Sequence, residues 1–437
     1  MSKTFCAKKV NLLVVTLIAT LMCGVVSTSE AMTLKVWTGI PEMIPVYKEA
    51  MKDFQKTHPG VKIDPMYFEL REMERKCTVG LPSGTAGDII EMWRMPMHRY
   101  IEKKLISPVP SKLVTIIKER GISEYFPPSL WKGTFYSVPF YRAPRYMFWN
   151  KEMFREAGLP LRAPKTWQEL IGFSCKLAKY DSEGRLIRSG ISLRLAGAGS
   201  GVTEKWWVFL VQAGGTILKQ LPNGKWCAAY ADEAGYETLK LYIDLLYKYR
   251  VNSTTIRADA DAFVVGKTAM LERELFVAKL MKQRAPNVEY GIAWLPRYKK
   301  AGDIMAPFQW YVPETSKNKT VAWKFVEHLI TNPKYLEEAF LVSGLEPILT
   351  KGLDYRKILN KYPQYKDVLK FPKDYELQRY PYIAPVDEIC TKLAARLVRA
   401  FRDESLLDNP KKMRKVLTEA AEETNSILKR ENLYGEE

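Results

Sequence analysis

The sequence predicts an α/β protein built from two sheet-and-helix segments. A strand–helix–strand unit opens the chain after residue 31, and strands and helices keep alternating as far as residue 295, a pattern typical of sheets covered by helices. The 437 residues exceed one ordinary compact domain and suffice for two. With 47% hydrophobic and 27% charged residues, the composition is that of a globular protein with a sizeable core.

The opening strand–helix–strand segment consists of a strand at 33–37, a helix at 41–58 and a second strand over 61–68. Apolar residues of this helix recur at spacings of three and four and therefore share one face: Ile44, Tyr47, Met51 and Phe54. The crossover helix between the two strands implies that they pair in parallel.

The alternation continues along the chain. Further strands are predicted at 88–92, 133–139, 145–149 and 290–295. Further helices are predicted at 70–80, 97–104, 151–157, 203–213, 231–249, 271–284, 317–331 and 333–342, and in the C-terminal tail. Thr166 and Glu169 have the spacing of a capping box, which places another helix start at Trp167. Ligands of open parallel sheets bind beyond the carboxyl ends of the strands, so two facing sheets would form a cleft there.

The N-terminus has the pattern of an export signal. Three lysines precede a mostly apolar run over 10–26, and Ser29 and Ala31 supply the small residues of a cleavage site. We therefore expect a signal peptide at 1–31 and a soluble mature protein in the periplasm. An uncleaved membrane anchor and a lipoprotein attached through Cys23 remain alternatives.

The net charge of +18 is spread along the chain, and together with export this argues against a nucleic-acid partner. We expect a monomer. Cleavage would leave four of the six cysteines, too few for a disulfide-stapled scaffold. A Cys175–Cys227 disulfide is one possibility, and buried free thiols are the other.

The sequence lacks the patterns of a catalytic or metal site. Its three histidines stand in separate predicted elements, which suggests neither a metal cluster nor a proton relay. The segment 197–201 resembles a nucleophile elbow, but Ala198 stands where the motif needs glycine. The segment 266–268 resembles the end of a phosphate-binding loop, but Asp261 replaces the first glycine of that loop. We expect no enzyme activity, no cofactor and no metal.

Four stretches carry a resemblance to a known family. They are Leu34–Trp37 with 58–63, Ala86–Ile90, Gly133–Leu170, and Ala262–Met270. The third is the most specific, because several separate signatures occur in it in family order. On these stretches the chain resembles the family 1 extracellular solute-binding proteins of ABC transporters, which include maltose-binding protein and the glycerol-3-phosphate-binding protein.

The resemblance implies a two-lobed, type II-like periplasmic-binding-protein fold whose lobes close on a ligand by a hinge motion. The chain would cross between the lobes near 139–142, 266–270 and 308–312. The N-terminal lobe would comprise 32–139 plus 269–310, and the C-terminal lobe 140–268 plus 311–437. The resemblance also implies that the protein docks onto the membrane permease of an ABC importer.

Sugars offer hydroxyls and apolar ring faces, so a sugar site needs aromatic platforms beside charged or amide side chains. Candidates stand at the predicted strand ends and crossings: Trp37, Glu69, Arg71, Trp93, Arg94, Tyr141, Arg142, Arg145, Trp206, Trp207, Glu272, Arg273 and Trp310.

Several arginines stand near the proposed cleft edges: Arg71, Arg94, Arg142, Arg145, Arg194 and Arg273. Guanidinium groups bind carboxylates and phosphates well, so an anionic sugar derivative is a hypothesis beside a neutral sugar or oligosaccharide. The expected function is capture of such a solute and its delivery to the permease. A secreted carbohydrate-active enzyme and a ligand sensor with the same fold are the alternatives.

Overall fold

Two mixed sheets, each covered by helices, form the frame of the protein. A computed structural model describes residues 32–256 and 260–436. The predicted signal peptide at 1–31 lies outside the described residues.

The strands are β1 (Met32–Thr38), β2 (Val61–Tyr67), β3 (Ile89–Trp93), β4 (Leu130–Trp131), β5 (Thr134–Phe135), β6 (Val138–Arg142), β7 (Tyr146–Asn150), β8 (Lys179–Tyr180), β9 (Leu186–Ser192), β10 (Leu218–Gln220), β11 (Trp226–Ala228), β12 (Thr268–Arg273), β13 (Tyr290–Trp294), β14 (Ala301–Met305), β15 (Pro307–Tyr311), β16 (Glu346–Pro347) and β17 (Tyr375–Arg379). The α-helices are α1 (Ile44–Thr57), α2 (Leu70–Ser83), α3 (Arg94–Glu102), α4 (Ser111–Arg120), α5 (Lys151–Glu156), α6 (Trp167–Leu177), α7 (Gly201–Ala213), α8 (Glu233–Ile243), α9 (Ala260–Val264), α10 (Phe276–Arg284), α11 (Lys319–Thr331), α12 (Pro333–Ser343), α13 (Tyr355–Lys361), α14 (Val386–Ala400) and α15 (Pro410–Arg430).

The first sheet has the strand order β16-β6-β15-β3-β1-β2. Strand β1 pairs in parallel with β2 and β3, which confirms the predicted crossover unit, whereas β15, β6 and β16 run antiparallel to their neighbours. Helix α1 buries Tyr47, Met51 and Phe54 of its predicted face, while Ile44 at its start is half-buried. The first sheet and the helices packed on it are called the first unit below.

The second sheet has the strand order β13-β7-β12-β9-β8. Strand β12 pairs in parallel with β9 and antiparallel with β7. The predicted Thr166 cap is confirmed, since the backbone N–H of Glu169 donates to the hydroxyl of Thr166 at 3.1 Å where α6 begins. The other half of the predicted capping box differs, because the carboxylate of Glu169 accepts from the backbone N–H of Lys165 at 2.7 Å rather than from that of Thr166. The second sheet and the helices packed on it are called the second unit.

Sheet membership corrects the predicted lobe boundaries. Strands β12 and β13 belong to the second sheet, so the part of 269–310 that contains them is not in the first lobe, and 266–270 is not a crossing. Helices α11 and α12 pack in the hydrophobic core of the first unit, although the prediction places 311–437 in the second lobe. The predicted helix at 271–284 is wrong at its start, because residues up to Arg273 extend β12 and the helix begins at Phe276.

The chain passes from the first sheet to the second at residues 143–145, between β6 and β7. It returns to the first sheet at Ala306, after β14, which pairs with β17 in a separate two-stranded sheet. After β16 it leaves the first sheet for α13, whose Ile358 belongs to the same buried hydrophobic cluster as Phe148 of β7. Two of the three predicted crossings therefore lie within a few residues of observed ones.

Within the described residues no helix is long and apolar enough to cross a membrane. No disulfide joins Cys175 to Cys227 over the same residues; Cys175 is exposed and Cys227 is buried.

A buried carboxyl group lies at the centre of the first sheet. Glu91 of β3 is 1% exposed and accepts hydrogen bonds from the hydroxyls of Thr38, Tyr47 and Tyr141. Burial raises the pKa of Glu91 from its ordinary value of 4.5 to about 7, against the opposing effect of these three donors.

This carboxyl group predicts a pH dependence of stability. At a pH between these two pKa values, Glu91 holds a proton in the folded state that it releases in the unfolded state. The contribution of Glu91 to the free energy of unfolding should therefore fall by on the order of 3 kcal/mol as pH rises from 4.5 to about 7. Urea unfolding at about pH 5 and about pH 7.5 measures it. Glu91→Gln should remove this part of the slope, and Glu124→Gln, an exposed control, should keep it. An unchanged slope in Glu91→Gln would contradict the assignment.

Candidate functional site

A cavity of about 380 Å³ lies between the two units, at the carboxyl ends of β1, β2 and β3. We call it the central cavity. Polar and aromatic side chains of its first wall are Glu42, Tyr67, Glu69, Arg71, Trp93 and Phe308. Charged side chains of its second wall are Arg145, Arg194, Glu204, Lys205, Arg273 and Glu274. This is the edge at which ligands of open α/β sheets bind.

Arg145 joins the second wall to the segment that crosses between the units. Its side chain is 2% exposed, and its Nη1 lies 3.1 Å from Oδ1 of Asp303 and donates to the carbonyl of Ile304 at 3.0 Å. The backbone N–H of Arg145 donates to the same aspartate at 2.8 Å. The guanidinium is therefore fixed to β14, next to the return crossing at Ala306.

Ion pairs continue from Arg145 across the second wall. Its Nη2 lies 3.6 Å from a carboxylate oxygen of Glu204, and its Nε lies 3.6 Å from one of Glu274. The ammonium of Lys205 lies 2.6 Å from Glu274 and 3.2 Å from Glu272. Positive and negative groups thus alternate along the wall, and buried polar groups held in this way keep fixed positions.

The carboxyl groups of this network differ in their titration. Burial opposes ionisation of Glu274, but Lys205, Arg273 and Arg145 outweigh it and hold the pKa of that carboxyl well below its usual range. Burial dominates at Glu272 and Asp303, and it raises the pKa of both against the attraction of neighbouring cations. The group that faces the cavity, Glu274, is therefore an ionised hydrogen-bond acceptor.

The first wall combines an ion pair with aromatic rings. Arg71 at the start of α2 donates to Glu74 at 2.6 and 2.9 Å, and the indole N–H of Trp93 donates to the same glutamate at 3.3 Å. Phe308 is the pairing partner of Trp93 in the sheet, so the two rings stand at neighbouring strand ends. Glu69 accepts a hydrogen bond from Tyr67 at 2.7 Å.

This arrangement suits noncovalent binding of a polar solute. The walls offer ionised donors and acceptors in fixed positions, and the rings of Trp93 and Phe308 offer apolar contact. Among the described residues, no group of three or more histidine, cysteine, aspartate or glutamate side chains is arranged to hold a metal ion.

Comparison with known proteins decides the family. Residues 40–335 match the profile described as bacterial extracellular solute-binding protein, which covers more than half of the chain.

The chain belongs to the bacterial extracellular solute-binding protein family.

Relatives and solved structures agree with this membership. The solute-binding protein is 24% identical, over 65% of its own length and 68% of the relative's, to a protein of Brucella abortus (strain 2308) whose name gives it only a binding role. Its fold matches that of an ABC transporter solute-binding protein of Thermotoga lettingae bound with α-D-tagatose, with a TM-score of 0.76, 21% identity and coverage of 91% of this chain and 100% of the other. It also matches UgpB of Mycobacterium tuberculosis in complex with glycerophosphocholine, with a TM-score of 0.76, 17% identity and coverage of 92% and 99%.

Five of the predicted site residues line the central cavity of the solute-binding protein. They are Glu69, Arg71, Trp93, Arg145 and Arg273. The first three stand at the ends of β2 and β3, where the strand-end rule places ligand contacts. Their role in binding remains a prediction.

Trp37 and Trp310 belong to the core and not to the cavity. Trp37 packs edge-on against Phe68, and its indole fills the space beside Gly87, where a Cβ would lie 2.7 Å from the indole. Trp310 is fully buried two residues deeper in β15 than Phe308, where α1 covers the sheet and Tyr47 contacts the indole.

Arg94 and Tyr141 are buried in the first unit. Arg94 begins α3 and donates to the ring of His98 at 2.9 Å, so its side chain turns away from the cavity that Trp93 lines. Tyr141 donates to Glu91 within the sheet. The prediction that these two residues border the cleft is wrong.

Arg142 is a structural residue at the end of β6. Its guanidinium pairs with Glu346 of β16, with Nε at 2.9 Å from the carboxylate, and lies 4.4 Å from the ring centre of Phe371. Tyr146 donates to the same glutamate. This buried cluster ties β6 to β16 beside the crossing, and none of its members lines the central cavity.

Trp206, Trp207 and Glu272 are also buried behind the second wall. Both tryptophans are 0% exposed because α7 is enclosed on all sides, and Trp207 donates to Gln378. Glu272 precedes Arg273 on β12, and neighbouring strand residues point to opposite faces, so only Arg273 reaches the cavity.

Glu204 and Lys205 line the cavity but are not among the predicted residues. They are the only charged residues in a helix that is otherwise apolar apart from Thr203 and Gln212. Charges in an enclosed helix must be paired or functional, and this signal could have identified them.

Proposed function

We propose that this protein captures a sugar or a sugar-like polar solute in the central cavity and delivers it to the membrane permease of an ABC importer. Family membership supports solute binding outside the cell. The two solved structures of similar fold are described with α-D-tagatose and glycerophosphocholine, both small polar molecules rich in oxygen.

The observation that carries the proposal is the lining of the central cavity. Hydroxyl groups both donate and accept hydrogen bonds, so a polyhydroxyl solute can bind a wall in which cations and carboxylates alternate. The rings of Trp93 and Phe308 on the opposite wall suit the apolar face of a sugar ring. A volume of about 380 Å³ is near the lower end of the ~300–1,000 Å³ typical of ligand sites, which favours a small sugar over a long oligosaccharide.

The charges favour a neutral solute over the anionic one of the arginine hypothesis. Arg71 forms an ion pair with Glu74, and Arg145, Lys205 and Arg273 all pair with Glu274. An anion would have to compete with these carboxylates for the same donors. A sugar acid remains an outcome of the test.

Export, periplasmic location and the permease partner are part of the same proposal. Cleavage of a signal peptide at 1–31 would release a mature chain that begins at Met32, the first residue of β1. Binding without chemical conversion distinguishes this function from a secreted carbohydrate-active enzyme, and delivery to a permease distinguishes it from a sensor.

Thermal unfolding with a panel of solutes tests the proposal. The panel contains neutral monosaccharides and oligosaccharides, sugar acids, sugar phosphates and glycerophosphodiesters. We expect at least one neutral sugar to raise Tm by about 3 °C at a hundredfold excess over its Kd. The absence of any rise across the panel, or release of product from a glycan panel, would overturn the proposal.

Phe308→Ala is expected to weaken binding of that sugar about tenfold, because it removes the ring from the first wall. Phe308 is half-buried and lines the cavity. Isothermal titration calorimetry measures the affinity. Phe173→Ala is the matched control, since this half-buried ring of α6 packs against Phe154 outside the cavity and its loss should leave Kd unchanged. Equal effects of the two variants would contradict a binding role for Phe308.

A further inference from the structure

The glycine-rich segment Gly197–Gly201 leads into α7 and is not explained by solute binding alone. It fails as a nucleophile elbow, yet its glycines stand against guanidinium groups. A Cβ on Gly197 would lie 2.6 Å from Nη2 of Arg194, and a Cβ on Gly199 would lie 2.7 Å from both Cζ and Nη1 of Arg71. The backbone of this segment is therefore a surface on which arginine side chains rest.

Two observations favour glycine at position 199. Its φ of +66° is in the left-handed region, which side chains rarely adopt. A methyl group there would also overlap the guanidinium of Arg71. The second observation makes the position depend on a residue that is 128 positions away in the sequence.

The contact between Arg71 and Gly199 joins the two units beside the central cavity, which Arg71 and Gly201 line. Arg71 belongs to α2 on the first wall, where its two hydrogen bonds to Glu74 hold it. Gly199 belongs to the second unit, between β9 and α7. Two residues that contact each other from different units favour the present spacing of those units.

Charges on the second unit favour the same position of Arg71. Burial opposes its charged form, but Glu74, Glu204 and Asp387 outweigh burial and raise the pKa of the guanidinium. Glu204 lies in the first turn of α7, and Asp387 lies in the first turn of α14. Arg71 is thus attracted by a carboxylate of its own helix and by carboxylates of α7 and α14.

We infer that Arg71 resting on Gly199 is a clasp that holds the two walls at the spacing in which they enclose a solute. The inference rests on the proposed function for its purpose, and on the contact itself for its mechanism. Loss of either residue should let the walls move apart.

Spin-label distances between the units test the clasp without any solute. Cys175 on α6 is exposed and takes one label, and Lys118→Cys on α4 takes the other, while Cys77, Cys227 and Cys390 are buried. We expect Gly199→Ala and Arg71→Ala each to lower the ratio of short to long inter-label distances about tenfold. Gly199→Ala does so because the added methyl group overlaps the guanidinium, and Arg71→Ala because the contact is lost. Gly158→Ala is the matched control, because its φ is +62° and nothing lies within 4 Å of the added Cβ.

The double variant decides between a clasp and a local defect. If Gly199 acts through Arg71, then Gly199→Ala should have little effect on the spin-label distances once Arg71 has been replaced by alanine. Any remaining effect should be no larger than that of Gly158→Ala. Equal effects of Gly199→Ala with and without Arg71, or a Gly199→Ala distance distribution like that of Gly158→Ala, would overturn the inference. Since no solute is present, failure of the clasp leaves the binding proposal intact, and failure of solute binding leaves the distances unaffected.

Discussion

Arg145→Met is expected to lower the free energy of unfolding by about 3–5 kcal/mol and to abolish solute binding. The substitution leaves Asp303 buried at 0% exposure without its cation, and removes the group that Glu204 and Glu274 share at the second wall. Urea unfolding and calorimetric titration with the sugar from the solute panel measure the two effects.

The pH dependence of this loss of stability shows whether the buried carboxyl group of Asp303 causes it. Burial raises the pKa of Asp303 and Arg145 opposes that rise, so without Arg145 the folded protein should bind a proton at Asp303 more readily. A group whose pKa is raised in the folded state stabilises the folded state at low pH and loses this contribution as pH rises. The loss of unfolding free energy caused by Arg145→Met should therefore be smaller at about pH 5 than at about pH 8. Adding Asp303→Asn should recover most of the stability but not the solute affinity. A pH-independent penalty would contradict this account.

Arg142→Met is expected to lower the free energy of unfolding by a similar amount, about 3–5 kcal/mol, but to leave Kd for the solute within about threefold. The substitution strands Glu346, which is 3% exposed and whose other partner is a hydroxyl of Tyr146. The guanidinium lies outside the central cavity, so binding by the molecules that remain folded should persist. Urea unfolding and calorimetry at a temperature where the variant is folded measure the two quantities.

Two controls separate a broken buried pair from simple loss of an arginine. Replacing both partners, in Arg142→Met with Glu346→Leu, should recover most of the stability because no charge is left alone. Arg185→Ala removes an arginine whose side chain is 69% exposed and pairs with Asp181, and should cost less than about 1 kcal/mol. Loss of solute affinity in folded Arg142→Met would contradict the assignment of this residue to the frame.

The contrast between these two arginines shows how far the sequence predicts the site. Both stand at the predicted crossing, and only three positions separate them. The partner that draws Arg142 into the frame, Glu346, is 204 residues away, and the partner that fixes Arg145, Asp303, is 158 residues away. The direction of a side chain in the segment that crosses between the units depends on such distant partners. The sequence near that segment does not indicate them.

Sequence patterns predict the position of a site residue where that position depends on elements close to it in the chain. Glu69, Arg71 and Trp93 follow strands whose parallel order is set by the first crossover unit, so strand ends predict their place in the cavity. The two-sheet α/β architecture follows from alternation of elements for the same reason. Sheet membership of β12 is not local, because its neighbours β7 and β9 come from much earlier in the chain.

A crystal structure of the protein with the sugar that raises its Tm would show directly whether the solute binds in the central cavity. We expect one solute molecule between the rings of Trp93 and Phe308 and the charged wall that contains Arg145, Lys205 and Glu274. A solute bound elsewhere, for instance in the more open cavity of about 570 Å³ between Thr216 and Tyr434, with the central cavity empty, would contradict this expectation.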